Sequence, residues 1–149
     1  MDENINPDEL LQAITGGPEI SELAEKVRNV LVRLLEMNET IDGALVSTLE
    51  GLPLTWHARD PDVIREEGRV AAAVTVVFGT SERNSLDLDK GHIDHVIIRT
   101  EDGYIILRLA GEDYILAAVT NNKAKLGVVL RDLKWAATKI EDVLKENTK

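Results

Sequence analysis

Residues 43–54 read Gly-Ala-Leu-Val-Ser-Thr-Leu-Glu-Gly-Leu-Pro-Leu, a sequence typical of a β-hairpin. The turn Glu50-Gly51 separates a predicted strand over 41–48 from a shorter one over 54–58. The first strand contains the consecutive apolar run Ala-Leu-Val, which predicts cover on both faces and a place inside the sheet. Pro53 lacks an N–H at the start of the second strand, so that strand is predicted to lie at the sheet edge.

Three further strands are predicted at hairpin spacing, over 92–99, 104–110 and 114–120. The turns Glu101-Asp102-Gly103 and Gly111-Glu112-Asp113 join them into an antiparallel meander. The first of these strands carries polar residues typical of an edge, whereas the last, Tyr-Ile-Leu-Ala-Ala-Val-Thr, is apolar on both faces. Joining the hairpin and the meander through their two doubly covered strands gives the spatial order 2-1-5-4-3.

Three amphipathic helices complete the predicted architecture. The first begins with Ser21 as N-cap, the second with Asp60 as cap and Pro61 in its first turn, and the last at about Ala124. The predicted fold is therefore α+β, a three-layer α-β-α sandwich with the element order α-β-β-α-β-β-β-α. From 70 to 78 the second helix is apolar almost all the way round, so one face is left to pack on something outside this chain.

Length and composition predict one domain over 21–149, preceded by an acidic extension over 1–20 in which Pro7–Ile14 could form one or two helical turns. The net charge of −10 argues against nucleic acid and anionic membranes as partners. The chain contains no cysteine, which excludes disulfides and thiolate chemistry. It shows no targeting segment and no apolar run long enough to insert into a membrane, so a cytoplasmic location is expected.

No motif of catalysis or cofactor binding occurs, so catalytic, cofactor-binding and metal-binding residues are all predicted to be absent. The sequence lacks a phosphate-binding P-loop, a Gly-x-Ser-x-Gly motif and a His-Glu-x-x-His motif. His92 and His95 would point to opposite faces of a strand and could not share a metal ion. Asp87-x-Asp89-x-Gly91 resembles only the beginning of a calcium loop.

Two arginines and two tryptophans have alternative interpretations. Arg65 and Arg69, near the predicted start of the second helix, could act on a partner's phosphates, but solvated pairs with neighbouring glutamates are favoured. Trp135, within an apolar helical stripe, is predicted to pack between helices. Trp56, on the edge strand, is the better candidate for contact with a partner.

The element order and three segments resemble the roadblock dynein light chain superfamily, which includes bacterial and archaeal regulators of Ras-like GTPases. The segments are the hairpin over 43–54, the stretch Lys-Leu-Gly-Val-Val-Leu-Arg over 125–131, and the turn over 101–103 before an Ile-Leu-Arg-Leu-Ala-Gly strand. The resemblance covers about 21–144. Two features depart from the family, the N-terminal extension and a long connection over 79–91.

The resemblance implies a homodimer, or a heterodimer with a roadblock-like paralogue, in which third strands pair edge to edge and second helices pack side by side. It also implies a non-enzymatic platform that binds a small Ras-like GTPase and modulates or anchors it. The alternative is a structural scaffold subunit of a motility or trafficking complex without effect on GTP turnover, and a third possibility is a small-ligand sensor. The predicted interface residues are apolar or edge-strand positions: Val70, Ala73, Val74, Val77, Phe78, Ile93, His95, Ile97 and Trp56.

Overall fold

The central element of the computed structural model, which describes residues 18–147, is a five-stranded antiparallel sheet. Its strands are β1 (Ile41–Thr48), β2 (Pro53–Ala58), β3 (His95–Thr100), β4 (Gly103–Ala110) and β5 (Tyr114–Thr120). The order is β2-β1-β5-β4-β3, as the sequence predicts. The doubly apolar strands β1 and β5 lie inside the sheet, so β2 and β3 form its two edges.

Helices cover both faces of the sheet and complete the predicted three-layer sandwich. They are α1 (Pro18–Met37), α2 (Glu67–Asp87) and α3 (Leu126–Asn147). Helices α1 and α3 pack together on one face and form the larger core with strand residues such as Val46 and Leu116. On the opposite face α2 is the one α-helix among the described residues, and it covers a smaller core that includes Leu107 and Ile115.

The second helix differs from its prediction at both ends. Asp60 does act as a cap, since its Oδ1 accepts from the Asp62 N–H at 2.9 Å, but it caps only a short 3₁₀ turn over Pro61–Val63. The chain then leaves helical geometry because the Ile64 side chain is buried under the sheet, beside Leu45 and Ala71. Helix α2 begins at Glu67 and continues to Asp87, so most of the predicted connection over 79–91 is helical.

The prediction of a third strand starting at His92 is also wrong, because β3 begins at His95. The imidazole Nδ1 of His92 instead lies 2.8 Å from Glu82 Oε1 on α2, and the Ser85 hydroxyl donates to the Gly91 carbonyl. These contacts bind the segment after α2 back onto the helix. The first helix is already formed at Pro18, so the predicted N-cap Ser21 lies within it.

Residues 1–17 lie outside the described part of the chain, and with them the predicted helical turns over Pro7–Ile14. The boundary between an extension over 1–20 and a domain over 21–149 therefore stays a prediction. Within 18–147, no helix is sufficiently long and apolar to cross a membrane.

A polar network joins the C-terminal end of α1 to β1 and α3. Asn38 donates to the buried carboxylate of Asp132 on α3 at 2.9 Å. The Arg59 guanidinium donates to the main-chain carbonyls of Asn38 at 2.8 Å and Ile41 at 3.0 Å, and also to that of Leu35. Cationic donors at a helix C-terminus satisfy carbonyls that have no partner within the helix. These hydrogen bonds connect the C-terminal end of α1 to the sheet and to α3 at one end of the larger core.

Candidate interaction surface

The outer side of α2 exposes apolar side chains that nothing in the described chain covers. Val76 is 66% exposed and Val77 36%, and the small residues Ala72 and Ala73 beside them are also exposed. Positions 72, 73, 76 and 77 follow the helical period, so they form one continuous stripe. We call these four residues the α2 stripe.

Val74 and Phe78, both predicted to lie at an interface, point to the opposite side of α2. They are only 8% and 5% exposed and pack against the sheet residues Leu107, Ile115 and Ala117. Val70 is half-buried and packs against the same cluster. These three side chains therefore build the chain's own core, whereas Ala73 and Val77 remain available to a partner.

An apolar cavity of about 330 Å³ lies between α2 and the sheet and extends from β1 to β3. Ala73 and Val77 border it on the helix side, and Ile98, Ile105 and Val119 border it on the sheet side. Helix α2 contacts β1 more than it contacts β2, β4 or β5, and β3 is the least covered strand on this face.

The edge strand β3 pairs only with β4 among the described strands, so one row of its backbone groups has no partner in the sheet. Ile97 is 37% exposed, and His95 lies half-buried two residues earlier on the same face. Ile93 lies before the strand and packs onto the smaller core. Ile97 pairs with Ile106, which belongs to the core under α1 and α3, so Ile97 and His95 point to the face of the sheet opposite α2. Val96 and Ile98 point to the α2 face.

Trp56 lies apart from both the α2 stripe and β3. It is 37% exposed on β2, the opposite edge, and four strand-to-strand steps of about 4.8 Å separate β2 from β3. Trp56 therefore lies roughly 19 Å across the sheet from the predicted residues on β3.

The two arginines near α2 form exposed pairs with nearby carboxylates. Arg69 Nη1 lies 2.9 Å from Glu66 Oε2, and Arg65 Nε lies 3.7 Å from Asp62 Oδ1. Arg65 precedes the helix, whereas Arg69 lies in its first turn. The described residues contain no group of three or more acidic, histidine or cysteine side chains suited to a metal ion. Trp135 packs between helices as predicted, with its ring 5.2 Å from the Arg33 guanidinium carbon.

The interface residues predicted from the sequence did not include Val76, the most exposed member of the α2 stripe. They also did not include the sheet residues that border the cavity. The signal for Val76 was present, because Ala71, Val74 and Phe78 share one helical face and leave 72, 73, 76 and 77 on the other. Nothing in the sequence shows how far α2 extends over the sheet, so the cavity residues carried no such signal.

Comparison with known proteins places this geometry in a family. The sequence profile of the Roadblock/LC7 domain matches residues 27–120, more than half of the chain. The chain belongs to the Roadblock/LC7 family. The match begins in α1 and ends with β5, so it includes the complete sheet and α2 of this Roadblock/LC7 chain.

Solved structures with the same fold include two MglB proteins. Myxococcus xanthus MglB is 12% identical with a TM-score of 0.76, and the match covers 85% of this chain and 92% of that one. The gliding protein MglB of Thermus thermophilus is 19% identical with a TM-score of 0.72, covering 83% and 92%. MglC of Myxococcus xanthus is 18% identical with a TM-score of 0.54, covering 78% and 98%. No curated protein matches this Roadblock/LC7 sequence.

Proposed function

We propose that this Roadblock/LC7 protein is a non-enzymatic, cytoplasmic dimer that binds a small Ras-like GTPase and regulates or anchors it. The observation that carries the proposal is the exposed α2 stripe together with the unpaired edge of β3. Resemblance to the Roadblock/LC7 family implies contact between protomers through these two elements. Apolar surface of this kind, at a sheet edge, is typical of a site for protein contact.

In the proposed dimer, the β3 strands of two copies pair across a two-fold axis and extend the sheet. The two α2 helices then lie side by side, with Val76 and Val77 between them and Ile97 near the axis. The cavity bordered by Ala73 and Ile98 faces the partner helix, which would cover it. A two-fold contact uses the same surface twice, so a single substitution counts twice in the dimer. A roadblock-like paralogue could supply the second copy, and one similar structure is of MglB in a tetrameric arrangement.

The GTPase would supply the nucleotide and the catalytic groups, because this sequence contains no P-loop. The α2 surface of the dimer would act on the partner's mobile segments by contact alone. Arg65 and Arg69 are paired with carboxylates of this chain, which argues against a role as arginine fingers.

The test has two steps. Light scattering after gel filtration measures the mass of the purified chain, for which we expect twice 16.5 kDa. Captured small GTPases are then assayed for GTP hydrolysis with and without this protein. A changed hydrolysis rate supports a regulator, and binding at an unchanged rate supports the scaffold alternative. A monomer that captures no GTPase would contradict the proposal.

A further inference from the structure

A second surface lies at the opposite edge of the sheet, around β2. A groove of about 560 Å³ runs along this strand, and we call it the β2 groove. It is bordered by Arg28 on α1, by Thr55–Ala58 on β2, and by Pro61, Ile64, Arg65 and Glu67 after the strand. The proposed dimer uses β3 and α2, so the β2 groove remains open in it.

The strand that forms the floor of the β2 groove has unpaired backbone groups. Among the described strands β2 pairs only with β1. The Arg59 N–H donates to the Asp42 carbonyl at 3.0 Å, which shows that the backbone groups of Arg59 point toward β1. Alternate residues of an antiparallel strand face the neighbouring strand, so the N–H and C=O groups of Ala58 and Trp56 point away from β1. An added strand could bond to both residues.

The charges around the groove favour an acidic occupant, although the whole chain carries −10. Arg28 and Arg65 stand on its two sides against a single acidic lining residue, Glu67. The Glu67 carboxylate lies in the first turn of α2 and offsets the partial positive charge of the helix N-terminus, so the two arginines supply the positive charge of the groove. Arg65 keeps only a long contact of 3.7 Å to the exposed Asp62.

His57 positions the arginine on the α1 side. Its Nδ1 lies 3.3 Å from Arg28 Nη2, which is a hydrogen bond when the neutral ring accepts. Burial lowers the pKa of His57, Arg28 and Arg59 lower it further, and Glu36 acts in the opposite direction. A neutral His57 therefore holds the Arg28 guanidinium at the groove. On the other face of β2, the exposed ring of Trp56 offers an apolar platform.

We propose that the β2 groove binds an extended acidic segment of a partner protein, which adds to the sheet as a strand beside β2. Backbone hydrogen bonds to Trp56 and Ala58 would provide binding, and carboxylates beside Arg28 and Arg65 would provide selectivity. This contact is separate from GTPase binding, so the dimer could hold a GTPase and an acidic segment together.

The test uses the full chain and two acetylated nine-residue peptides, one alternating Glu with Val and one alternating Lys with Val. Calorimetry measures affinity, and ¹⁵N amide shifts locate the contact. We expect binding of the acidic peptide alone, with the largest shifts at Trp56 and Ala58. Equal affinity for both peptides, or shifts confined to β3, would overturn the proposal.

Variants test the two parts of the recognition separately. Arg28→Glu with Arg65→Glu is expected to weaken acidic-peptide binding by about tenfold or more, whereas Lys139→Glu with Lys134→Glu, an equal charge change on exposed α3 positions, leaves it unchanged. Ala58→Pro removes one outward N–H without removing a bond to β1, and a similar loss is expected. Full affinity in the double arginine variant would overturn the proposal, even if Ala58→Pro fails to fold.

A last variant distinguishes a partner's segment from this chain's own acidic N-terminal residues. Asp2, Glu3, Asp8 and Glu9 are changed together to their amides in the full chain. An unchanged affinity for the acidic peptide supports a partner as the source. Binding that becomes about tenfold tighter would overturn that assignment, because it would show that the chain's own residues compete for the groove.

Discussion

Substitution of Val76 by Glu separates the contact surface of α2 from its core-facing side. Val76 is 66% exposed, so Val76→Glu is expected to change the free energy of unfolding of one chain by less than about 0.5 kcal/mol. In the proposed dimer the same side chain lies between two helices, where burying a valine is worth about 1.5–3 kcal/mol. The two-fold axis doubles this loss to roughly 3–6 kcal/mol, which raises the dissociation constant at least about a hundredfold.

The comparison variant on the other side of α2 is Val74→Glu. Val74 is 8% exposed and packs on the sheet, so a glutamate there loses the burial of a valine and places a carboxylate in an apolar core. The cost of several kcal/mol is a large fraction of a total stability of about 5–15 kcal/mol. We expect Val74→Glu to unfold, whereas Val76→Glu remains folded.

Gel filtration with light scattering, over a hundredfold range of concentration, measures dissociation, and thermal melts followed by circular dichroism measure folding. Thr138→Glu provides a matched control, since Thr138 is an exposed β-branched residue on α3. A Val76→Glu protein that melts like the wild type and dimerises as tightly would refute the placement of the interface.

Three further predictions concern stability. Gly103→Ala is expected to cost about 3 kcal/mol or more in urea unfolding, because Gly103 has φ +144° and an added Cβ would overlap the carbonyl oxygen of Thr120. Gly79→Ala, at a helical site with open space, is its control and should not destabilise the chain. Arg59→Ala is expected to cost about 2 kcal/mol in the same assay, since three carbonyls lose a cationic donor; an unchanged midpoint would contradict this. The pKa of His57 is lowered below 6.5, so stability should fall as the pH drops through about 6.5 and below, where the unfolded state binds the proton more readily. His57→Gln should reduce this fall between about pH 7.5 and 5, and an identical pH profile would count against it.

The sheet could be predicted because local patterns and topology agree in this sequence. The Ala-Leu-Val run of β1 and the apolar β5 required cover on both faces, which left one strand order consistent with two hairpin-linked groups. The ends of α2 and β3 could not be predicted in the same way. Tertiary contacts determine where these elements begin. Ile64 packs under the sheet before α2, and His92 contacts Glu82 on α2, so β3 begins only at His95.

The exposed apolar face of α2 could be predicted in outline, but not which residues form it. An apolar helix shows that one face lacks cover, but the choice of face depends on how the helix rotates on the sheet. In the structure Val74 and Phe78 face the sheet and pack in one cluster with Ile115 and Ala117. The β2 groove depends on three separate parts of the chain, around Arg28, Trp56 and Arg65, which only the fold brings together.

In the proposed function, this chain binds a small Ras-like GTPase through the dimeric α2 surface. The most direct measurement is the affinity of the purified protein for a GTP-loaded Ras-like GTPase of the same organism, compared between wild type and Val76→Glu by calorimetry. We expect saturable binding to the wild type, and weaker binding to the Val76→Glu variant because its dimer dissociates. No binding to the wild type at any concentration tested, or equal binding by a monomeric Val76→Glu protein, would contradict it.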